Sequence, residues 1–423
     1  MSELNKVLKF LETDPGLGAD FNALCDCGGR RAGTASEQQA LRFARERLAA
    51  CGGDVHVEPV RYAGWRLKEA AEAALTLEDG TALVCNPLLG SQSTPPSGLV
   101  AEICDLGRGS EDDFRRHAQA VRGRIALVRH EYMFSRQHLH RRRKIGWATD
   151  AGAAGFVIAH PEPGAGPVTG SSGRGGGAGI PAVATDFESA ARLKGRVHLK
   201  VIGEDYDAQT EILTLDLPGR EDQWIVVSAH LDGHDLAESA MDNATGVAVA
   251  LALGRALAPH VAAGARGLRV CLFSAEEWAL AGSKQYLDRM SDDARRSIGV
   301  NINLDTVAGD SRLTALTSDF PQLDAFVRDV ARDSGFTLGT YLPTMANSDH
   351  FNFARHGIPA LRLVAGFDRP DSNIRHVLTR GDVREKVKLD ELRGAARIAA
   401  TLAWRALTLP VRSYNEMTRR NGS

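Results

Sequence analysis

One short stretch of the chain concentrates residue types that bind metals or transfer protons. Residues 229–246 read AHLDGHDLAESAMDNATG and contain four acidic side chains and two histidines. An apolar run, Trp224 to Val227, precedes the stretch, and a helix-like apolar run, Val247 to Leu253, follows it. Histidine and carboxylate ligands with no cysteine nearby favour Zn²⁺, with Mn²⁺ or Co²⁺ as alternatives. The stretch therefore indicates a metal site set between two core elements.

The ends of three predicted strands carry side chains of the same types. They are His230 at the end of WIVVSAH, Glu276 and Glu277 after GLRVCLFS, and Asp305 at the end of GVNINLD. In open α/β sheets, ligands bind beyond the carboxyl ends of the strands, where loops from several strands meet. We therefore expect these residues and Asp242 to form one metal site at one edge of a sheet.

Each of these residues also has a purely structural interpretation. Ser274 and Glu277 have the spacing of a helix capping box, and Asp242 precedes a helix-like run and could cap it. Asp305 could begin a turn, and His230 could be a hydrogen-bonded core histidine. These separate interpretations do not explain why all the residues lie in loops that follow strands, so a joint metal site is favoured.

The spacing also suggests different tasks for neighbouring residues. Adjacent residues on a helix point about 100° apart, so Glu276 and Glu277 could divide metal binding and general-base catalysis between them. Asp232 lies on the same side of an extended chain as His230, and we expect its carboxylate to bind the second imidazole nitrogen. A carboxylate such as Asp242 could bridge two metal ions about 3.5–4 Å apart.

The elements that position these residues alternate between strands and helices. From about residue 207 onward, short apolar runs alternate with helix-like stretches such as GVAVALALGRALA and LDELRGAARIAATLAWRAL. This pattern predicts an α/β fold with a mostly parallel sheet sandwiched by helices. The first 60 residues predict a helix followed by a strand, and the residues after 410 are interpreted as a frayed tail.

The region between residues 62 and 201 has a different residue pattern. Short β-like runs are separated by turns rich in glycine and proline, which predicts a compact β-rich insert. We place the main domain at residues 1–65 and 203–410, the insert at 66–202 and the tail at 411–423. Within the insert, GSSGRGGGAG at 170–179 lacks the phosphate-loop lysine and is interpreted as a flexible loop. The basic segment 136–144 is interpreted as a solvated face, with an acidic partner as the alternative.

Bulk composition narrows the class of protein. The 423 residues carry a net charge of −2, with 25% charged and 43% hydrophobic residues. We expect a globular protein with no nucleic-acid or membrane partner, since no apolar run looks long enough to span a bilayer. The first residues lack a signal-peptide core, so a cytoplasmic location is expected. The six cysteines are too sparse and irregular for a disulfide framework.

Several segments together resemble the signature blocks of the M28 family of di-zinc exopeptidases. These blocks are SAHLDGHDLAESAMDNATGVAVALALGRAL, VCLFSAEEWALAGSKQYL, NINLDTVAGD, SDHFNFARHGIPALRL and IRHVLTRGD, in that order. The early segment GGRRAGTASEQQALRFARERL resembles the opening helix of those domains. Residues 88–200 resemble the protease-associated domain that many members carry as an insert. The resemblance implies a zinc exopeptidase fold with this domain inserted.

The resemblance also implies a role for each site residue. It implies two zinc ions with five ligands: His230 and Asp305 on one ion, Glu277 and His376 on the other, and Asp242 bridging them. Glu276 is implied as the general base and Asp232 as the residue that orients His230, and His350 matches a family position near the substrate. The block of His376 departs from the family, where threonine or serine and then aspartate follow the histidine more closely.

A zinc-dependent exopeptidase acting on short peptides, either an aminopeptidase or a dipeptidase, follows from this resemblance. The interval from His230 to Asp242 resembles the carboxypeptidase Q-like branch of the family, whose members favour dipeptides. Arg362 or Arg375 could bind a substrate carboxylate, although both could equally be surface or ion-pair residues. The alternatives are a metal-dependent amidase or deacylase and a non-catalytic binding protein, the latter disfavoured because all five ligands are present. The oligomeric state is open, with a homodimer as one option.

Overall fold

The computed structural model describes residues 2–173 and 179–420, which form two compact units. The main unit comprises Met1–Arg61, Gln209–Val377 and Asp382–Ser423, and the insert unit comprises Tyr62–Ala208 and Leu378–Gly381. The boundaries predicted at 65 and 203 differ from these by a few residues. The reason is that two long strands, Asp54–Leu67 and Gly203–Leu217, run through both junctions. The short segment Leu378–Gly381 of the insert unit was not predicted.

The secondary structure consists of strands and helices with the following bounds. The strands are β1 Asp54–Leu67, β2 Ala73–Leu77, β3 Ala82–Leu83, β4 Asn86–Pro87, β5 Leu99–Asp105, β6 Ile125–Arg129, β7 Gly155–Ala159, β8 Ala182–Thr185, β9 Arg196–Val201, β10 Gly203–Leu217, β11 Trp224–His230, β12 Gly267–Phe273, β13 Ile298–Leu304, β14 Leu313–Leu316, β15 Leu338–Tyr341 and β16 Ala360–Ala365. The helices are α1 Glu3–Thr13, α2 Pro15–Asp26, α3 Ala35–Ala49, α4 Glu111–Arg116, α5 Ala118–Val121, α6 Arg141–Asp150, α7 Phe187–Arg192, α8 Thr245–Val261, α9 Ala281–Arg289, α10 Asp292–Ser297, α11 Pro321–Ser334, α12 His350–Arg355, α13 Leu389–Thr408 and α14 Val411–Met417. Single turns of helix lie at Ala70–Glu72, Ala240–Ala244, Asn373–His376 and Arg384–Lys386.

The main unit is built on one mixed sheet, which confirms the predicted fold class. Its strand order is β1-β10-β12-β11-β13-β16-β14-β15. The central strands β12, β11, β13 and β16 are parallel to one another, whereas β10 and β14 pair antiparallel with β12 and β16. All residues of β13 and β16 are buried, as expected for parallel strands covered on both faces. The adjacent parallel strands β12, β11 and β13 bring their carboxyl ends to the same edge.

Helix α8 forms the centre of the main unit. The span Ala240–Val261 has 22 residues and a mean hydropathy of 1.3, so by length and composition alone it could cross a membrane. This corrects the expectation that no segment reaches that length. Most of this span is buried within the protein, which fits a core helix that is apolar on all sides. Gly246 is required where the helix approaches β13, because a Cβ there would lie 2.1 Å from the carbonyl oxygen of Leu304.

The insert unit contains a second eight-stranded sheet, in the order β3-β2-β9-β5-β6-β7-β8-β4. Strands β5 to β8 are parallel, and β2, β9 and β4 pair antiparallel with their neighbours. Helix α6 begins within the basic segment 136–144, for which the prediction of a solvated face is partly wrong. Lys144 is fully buried and donates hydrogen bonds to the carbonyl of Arg129 and to Glu131 Oε1 at 2.6 Å. Residues 174–178 of the predicted glycine-rich loop lie outside the described residues.

The prediction of a frayed tail at 411–423 is also wrong for the residues that the structure describes. Helix α14 forms there and buries Tyr414 and Met417. The guanidinium of Arg266 lies 3.6 Å from the centroid of the Tyr414 ring, a cation–π contact. The segment is short and polar in sequence, so only its contacts with distant residues reveal that it belongs to the main unit.

Candidate metal centre

The first group of ligand atoms gathers around His230. His230 is the last residue of β11, Asp305 follows β13, and Asp242 lies in the turn before α8. The Nε2 atom of His230 is 3.0 Å from Asp242 Oδ1 and 3.6 Å from Asp305 Oδ1. All three side chains are buried, and each offers a ligand atom within 4.8 Å of the other two. The structure thus brings together residues that are predicted to share a metal ion.

A second group contains Asp242 again. Asp242, Glu277 and His234 also offer ligand atoms within 4.8 Å of one another. The Nε2 atom of His234 lies 2.6 Å from Glu277 Oε1. A third group consists of His230, Glu276 and Glu277. Asp242 belongs to two of the three groups, and its two carboxylate oxygens allow it to bridge two ions. The sequence analysis assigned His234 no role, and the structure places its side chain beside the carboxylates of Asp242 and Glu277.

The adjacent glutamates lie in a turn and not on a helix, contrary to the sequence prediction. Strand β12 ends at Phe273 and helix α9 begins only at Ala281. The intervening turn contains three residues in the left-handed region: Ala275, Ala279 and Leu280. No helix begins at Ser274, so Ser274 and Glu277 do not form the capping box that their spacing allowed. Similarly, Asp242 makes no capping hydrogen bond to α8, whose N-cap residue is Ala244.

Asp232 supports His230 in a different way from the one predicted. The Nδ1 atom of His230 contacts the main-chain carbonyl of Asp232 at 3.0 Å, while the Asp232 carboxylate is 3.7 Å away, too far for a hydrogen bond. A carbonyl only accepts, so Nδ1 carries the proton and Nε2 is left with a lone pair for a metal. The Asp232 carboxylate instead accepts from the amides of Glu276 and Glu277 at 3.1 and 3.3 Å. Asp232 thus orients both the histidine and the glutamate turn.

Two further residues fix the backbone around Asp242. The Asn243 amide side chain donates to Leu304 O at 2.9 Å and accepts from the amides of Gly246 and Thr306. The peptide bond between Asp242 and Asn243 is cis. Asp382 is buried and accepts from the amides of Met241, at 2.7 Å, and Asp242, at 3.3 Å. Asp382 was not assigned a role from the sequence, although it closes the HVLTRGD block.

A buried arginine holds the loop between His230 and Asp242. Arg30 is fully buried, and its guanidinium donates to five main-chain carbonyls: Leu24, Gly28, Leu231, Glu238 and Ser239. Three of these acceptors lie within the stretch 229–246, more than 200 residues away in sequence. The segment GGRRAG resembles family members, but no local sequence pattern indicated that Arg30 holds this loop.

Negative charge dominates the electrostatics of the centre. Burial and the neighbouring Glu277 and Asp349 raise the pKa of Glu276 well above its usual range, although His230 opposes this effect. Burial likewise raises the pKa of Asp349 to about 7. Burial also opposes ionisation of Asp305, but Arg362 and His230 outweigh it and hold that pKa below its usual range. Buried carboxylates in such excess over cationic groups fit a site that holds divalent cations.

The remaining predicted residues occupy different positions. His376 ends the turn Asn373–His376 and is half-buried; it is in none of the ligand groups given above for the described residues, and its role stays a prediction. His350 is fully buried at the start of α12, and burial lowers its pKa to about 3. Arg362 is buried and pairs with Asp305 at 3.1 Å. Arg375 donates from Nη1 to the carbonyl of Asp371 at 2.7 Å.

Comparison with known families decides the class of this centre. Residues 213–403 match the model of peptidase family M28, and residues 96–193 match the model of the PA domain. The chain therefore carries an M28 peptidase domain at residues 213–403. The matched range contains all three ligand groups, so the site described above lies in the peptidase domain. This M28 peptidase is therefore a hydrolase. The PA-domain match lies within the predicted range 88–200.

Individual relatives agree with this assignment. Aminopeptidase YwaD of Bacillus subtilis is 26% identical over 370 residues, covering 83% of this chain and 77% of the relative. Human carboxypeptidase Q is 29% identical over 289 residues, covering 61% of this chain and 58% of the relative. The M28 peptidase thus matches little more than half the length of carboxypeptidase Q.

Solved structures show the same fold. BSAP, a zinc aminopeptidase from Bacillus subtilis, superposes with a TM-score of 0.73 at 24% identity, covering 93% of this chain and 95% of that protein. The peptidase M28 precursor from Shewanella amazonensis SB2B superposes with a TM-score of 0.78 at 21% identity, covering 96% of both chains. At these identities the likeness establishes the fold of the M28 peptidase.

Proposed function

We propose that this M28 peptidase is a zinc-dependent exopeptidase that hydrolyses short peptides with a pair of zinc ions. The observation that carries the proposal is the position of Asp242, whose carboxylate lies in two of the three ligand groups, one with His230 and Asp305 and the other with His234 and Glu277. Its shared carboxylate is the feature that a two-metal site requires and a single-metal site does not. The names of two relatives, a zinc aminopeptidase and carboxypeptidase Q, support the same class of reaction.

The ligands divide between two positions. His230 and Asp305 would hold one zinc ion and Glu277 the other, with Asp242 shared and His376 as a further predicted ligand. Zinc bound here would supply Lewis acidity for the scissile carbonyl and lower the pKa of the attacking water towards ~7. Co²⁺ or Mn²⁺ are proposed substitutes because the ligand set contains only nitrogen and oxygen donors.

Glu276 is proposed as the general base. Its carboxylate is buried, and its main-chain amide is held by Asp232 at 3.1 Å, so the side chain extends from a fixed backbone. One of its oxygens lies within 4.8 Å of ligand atoms of His230 and Glu277, where it can accept a proton from a water at the metal position. Glu276 would take the proton of the attacking water and pass it to the leaving amine, which restores the carboxylate for the next cycle.

We propose aminopeptidase action on short peptides, dipeptides included. A strict dipeptidase has to recognise the carboxylate of its substrate, and this requires a cationic side chain that binds the carboxylate. Of the two arginines considered for this role, Arg362 is buried against the proposed ligand Asp305. That ion pair occupies Arg362, so only Arg375 of the two stays a candidate clamp.

A substrate panel tests the proposal. Dipeptides, aminoacyl-anilides and N-acyl compounds should be compared with the purified enzyme before and after removal of metal. We expect hydrolysis of substrates with a free amino terminus, lost on chelation and restored by Zn²⁺. Cleavage of N-acyl compounds alone would instead indicate the alternative amidase or deacylase. The cytoplasmic location, the homodimer and the lack of nucleic-acid or membrane partners stay predictions.

A further inference from the structure

His234 occupies an unusual position for a loop histidine. Its side chain is 4% exposed, and its Nε2 atom lies 2.6 Å from Glu277 Oε1. At this distance a protonated imidazole forms an ion pair with Glu277, whereas no regular hydrogen bond to Nε2 is found among the described residues. Both side chains also offer a ligand atom within 4.8 Å of a carboxylate oxygen of Asp242, so the three side chains converge on one position.

The backbone that carries His234 is tightly fixed. The amide of His234 donates to Ser239 Oγ at 2.8 Å, and Arg30 holds the carbonyls of Leu231 and Ser239 on either side. The loop also packs directly on Gly29, where a Cβ would lie 1.6 Å from the carbonyl oxygen of His234. The imidazole is therefore held in place by its backbone, as metal ligands in rigid sites are.

The chemical surroundings of the imidazole favour a metal over a simple ion pair. Asp242 and Glu277, the two carboxylates within 4.8 Å of it, are both proposed metal ligands. Zinc accepts imidazole and carboxylate ligands together, and catalytic zinc sites use three protein ligands plus a water. The metal position formed by Glu277 and Asp242 gains a third protein ligand from His234. His376 can bind there in addition when zinc expands its coordination.

We infer that His234 is a ligand of the zinc ion held by Glu277 and Asp242, so that the stretch 230–242 supplies an imidazole to each metal position. This inference rests on the proposed di-zinc function and extends it to a residue outside the ligand set that the family resemblance implied. The competing explanation is that His234 only orients Glu277 without contacting the metal.

Metal binding by the full-length protein tests the inference without depending on catalysis. H234A and the control H356A should be loaded with Zn²⁺ or Co²⁺, separated from free metal and analysed for metal content and affinity. His356 is a suitable control because its ring contacts Asp288, at 3.2 Å, and no proposed ligand. H234A should retain one tightly bound ion and bind the second more than about 100-fold more weakly, beyond the ~10–100-fold typical of losing an orienting partner.

The visible spectrum of the cobalt-loaded protein separates the two explanations. Loss of a direct ligand should change the cobalt absorption bands of H234A, and added imidazole should reverse the change, whereas H356A should match the wild type. Two tightly bound ions with an unchanged spectrum, or a smaller affinity loss with an unchanged spectrum, would overturn the inference. If H234A fails to fold, H234Q provides the same comparison, because glutamine preserves side-chain bulk but lacks the imidazole.

The same data distinguish this inference from the proposed function. A wild-type protein that binds no metal, or that hydrolyses peptides equally well without it, would refute the di-zinc peptidase itself. A wild-type protein that binds two ions and requires them, with H234A binding them equally well, would refute only the role of His234.

Discussion

The clamp formed by Arg30 offers the sharpest test of how the fold positions the centre. Arg30→Met removes the guanidinium but keeps a long apolar side chain in the fully buried position. The substitution leaves the carbonyls of Leu231, Glu238 and Ser239 without their donor, at original distances of 3.0, 2.7 and 2.7 Å. These carbonyls border His234, so the loop should relax where it carries the proposed metal ligand.

The expected loss of stability follows from the number and burial of these hydrogen bonds. A hydrogen bond to a charged group contributes about 1.5–3 kcal/mol, but the five contacts share three nitrogens and do not add fully. Removing one partner of a buried charged network typically costs about 3–5 kcal/mol. We expect Arg30→Met to lose stability in this range and to weaken metal binding as well.

Denaturant unfolding of the metal-loaded and metal-free protein measures both effects. Arg31→Met is the matched control, because the adjacent Arg31 pairs with Asp235 of the same loop, whose side chain is 57% exposed, and lies over the Trp278 ring. An exposed ion pair of this kind contributes about 0.2–1 kcal/mol. If the two variants lose similar stability, or if Arg30→Met binds metal like the wild type, the assignment of Arg30 as the clamp is wrong.

Three further perturbations address the chemistry. Dialysis against a strong chelator should abolish hydrolysis and added Zn²⁺, Co²⁺ or Mn²⁺ should restore it; full activity in a preparation shown by elemental analysis to be metal-free would contradict the metal centre. Glu276→Gln should reduce kcat by about 10²–10⁴ with both metals retained, whereas Glu277→Gln should lose metal, and the reverse pattern would show that the two roles are exchanged. Asp382→Asn should weaken metal binding by about 10–100-fold, because Asp382 fixes the amides of Met241 and Asp242; an unchanged metal titration would refute this positioning role.

The sequence predicted the parts of the centre that depend on strand ends. Strand β11 spans the predicted run WIVVSAH without change, and its neighbours β12 and β13 end within a residue of the predicted runs. Apolar periodicity locates buried parallel strands, and sheet geometry then brings His230, Glu276 and Asp305 to one edge. The class of the fold and the position of the site both follow from these local signals.

The residues that the sequence did not reveal act through contacts between distant segments. Arg30 reaches Leu231 across 201 residues, and Asp382 reaches Met241 across 141 residues. Neither residue lies in an apolar period or at a predicted strand end, so its burial and partners emerge only from the folded chain. His234 was passed over for a related reason: a histidine in a polar loop has no spacing that distinguishes a ligand from an exposed side chain.

The two corrections at Asp232 and at the glutamate pair have a single physical cause. A helix beginning at Ser274 would have left its first amides to a capping side chain, and Asp232 would have been free to bind His230. The structure has a turn there, and the amides of Glu276 and Glu277 still need acceptors because buried main-chain donors are rarely left unpaired. The Asp232 carboxylate meets that need, so the hydrogen bond from His230 goes to the Asp232 carbonyl. One residue thereby couples the orientation of a metal ligand on β11, through its carbonyl, to the placement of the proposed base after β12, through its carboxylate.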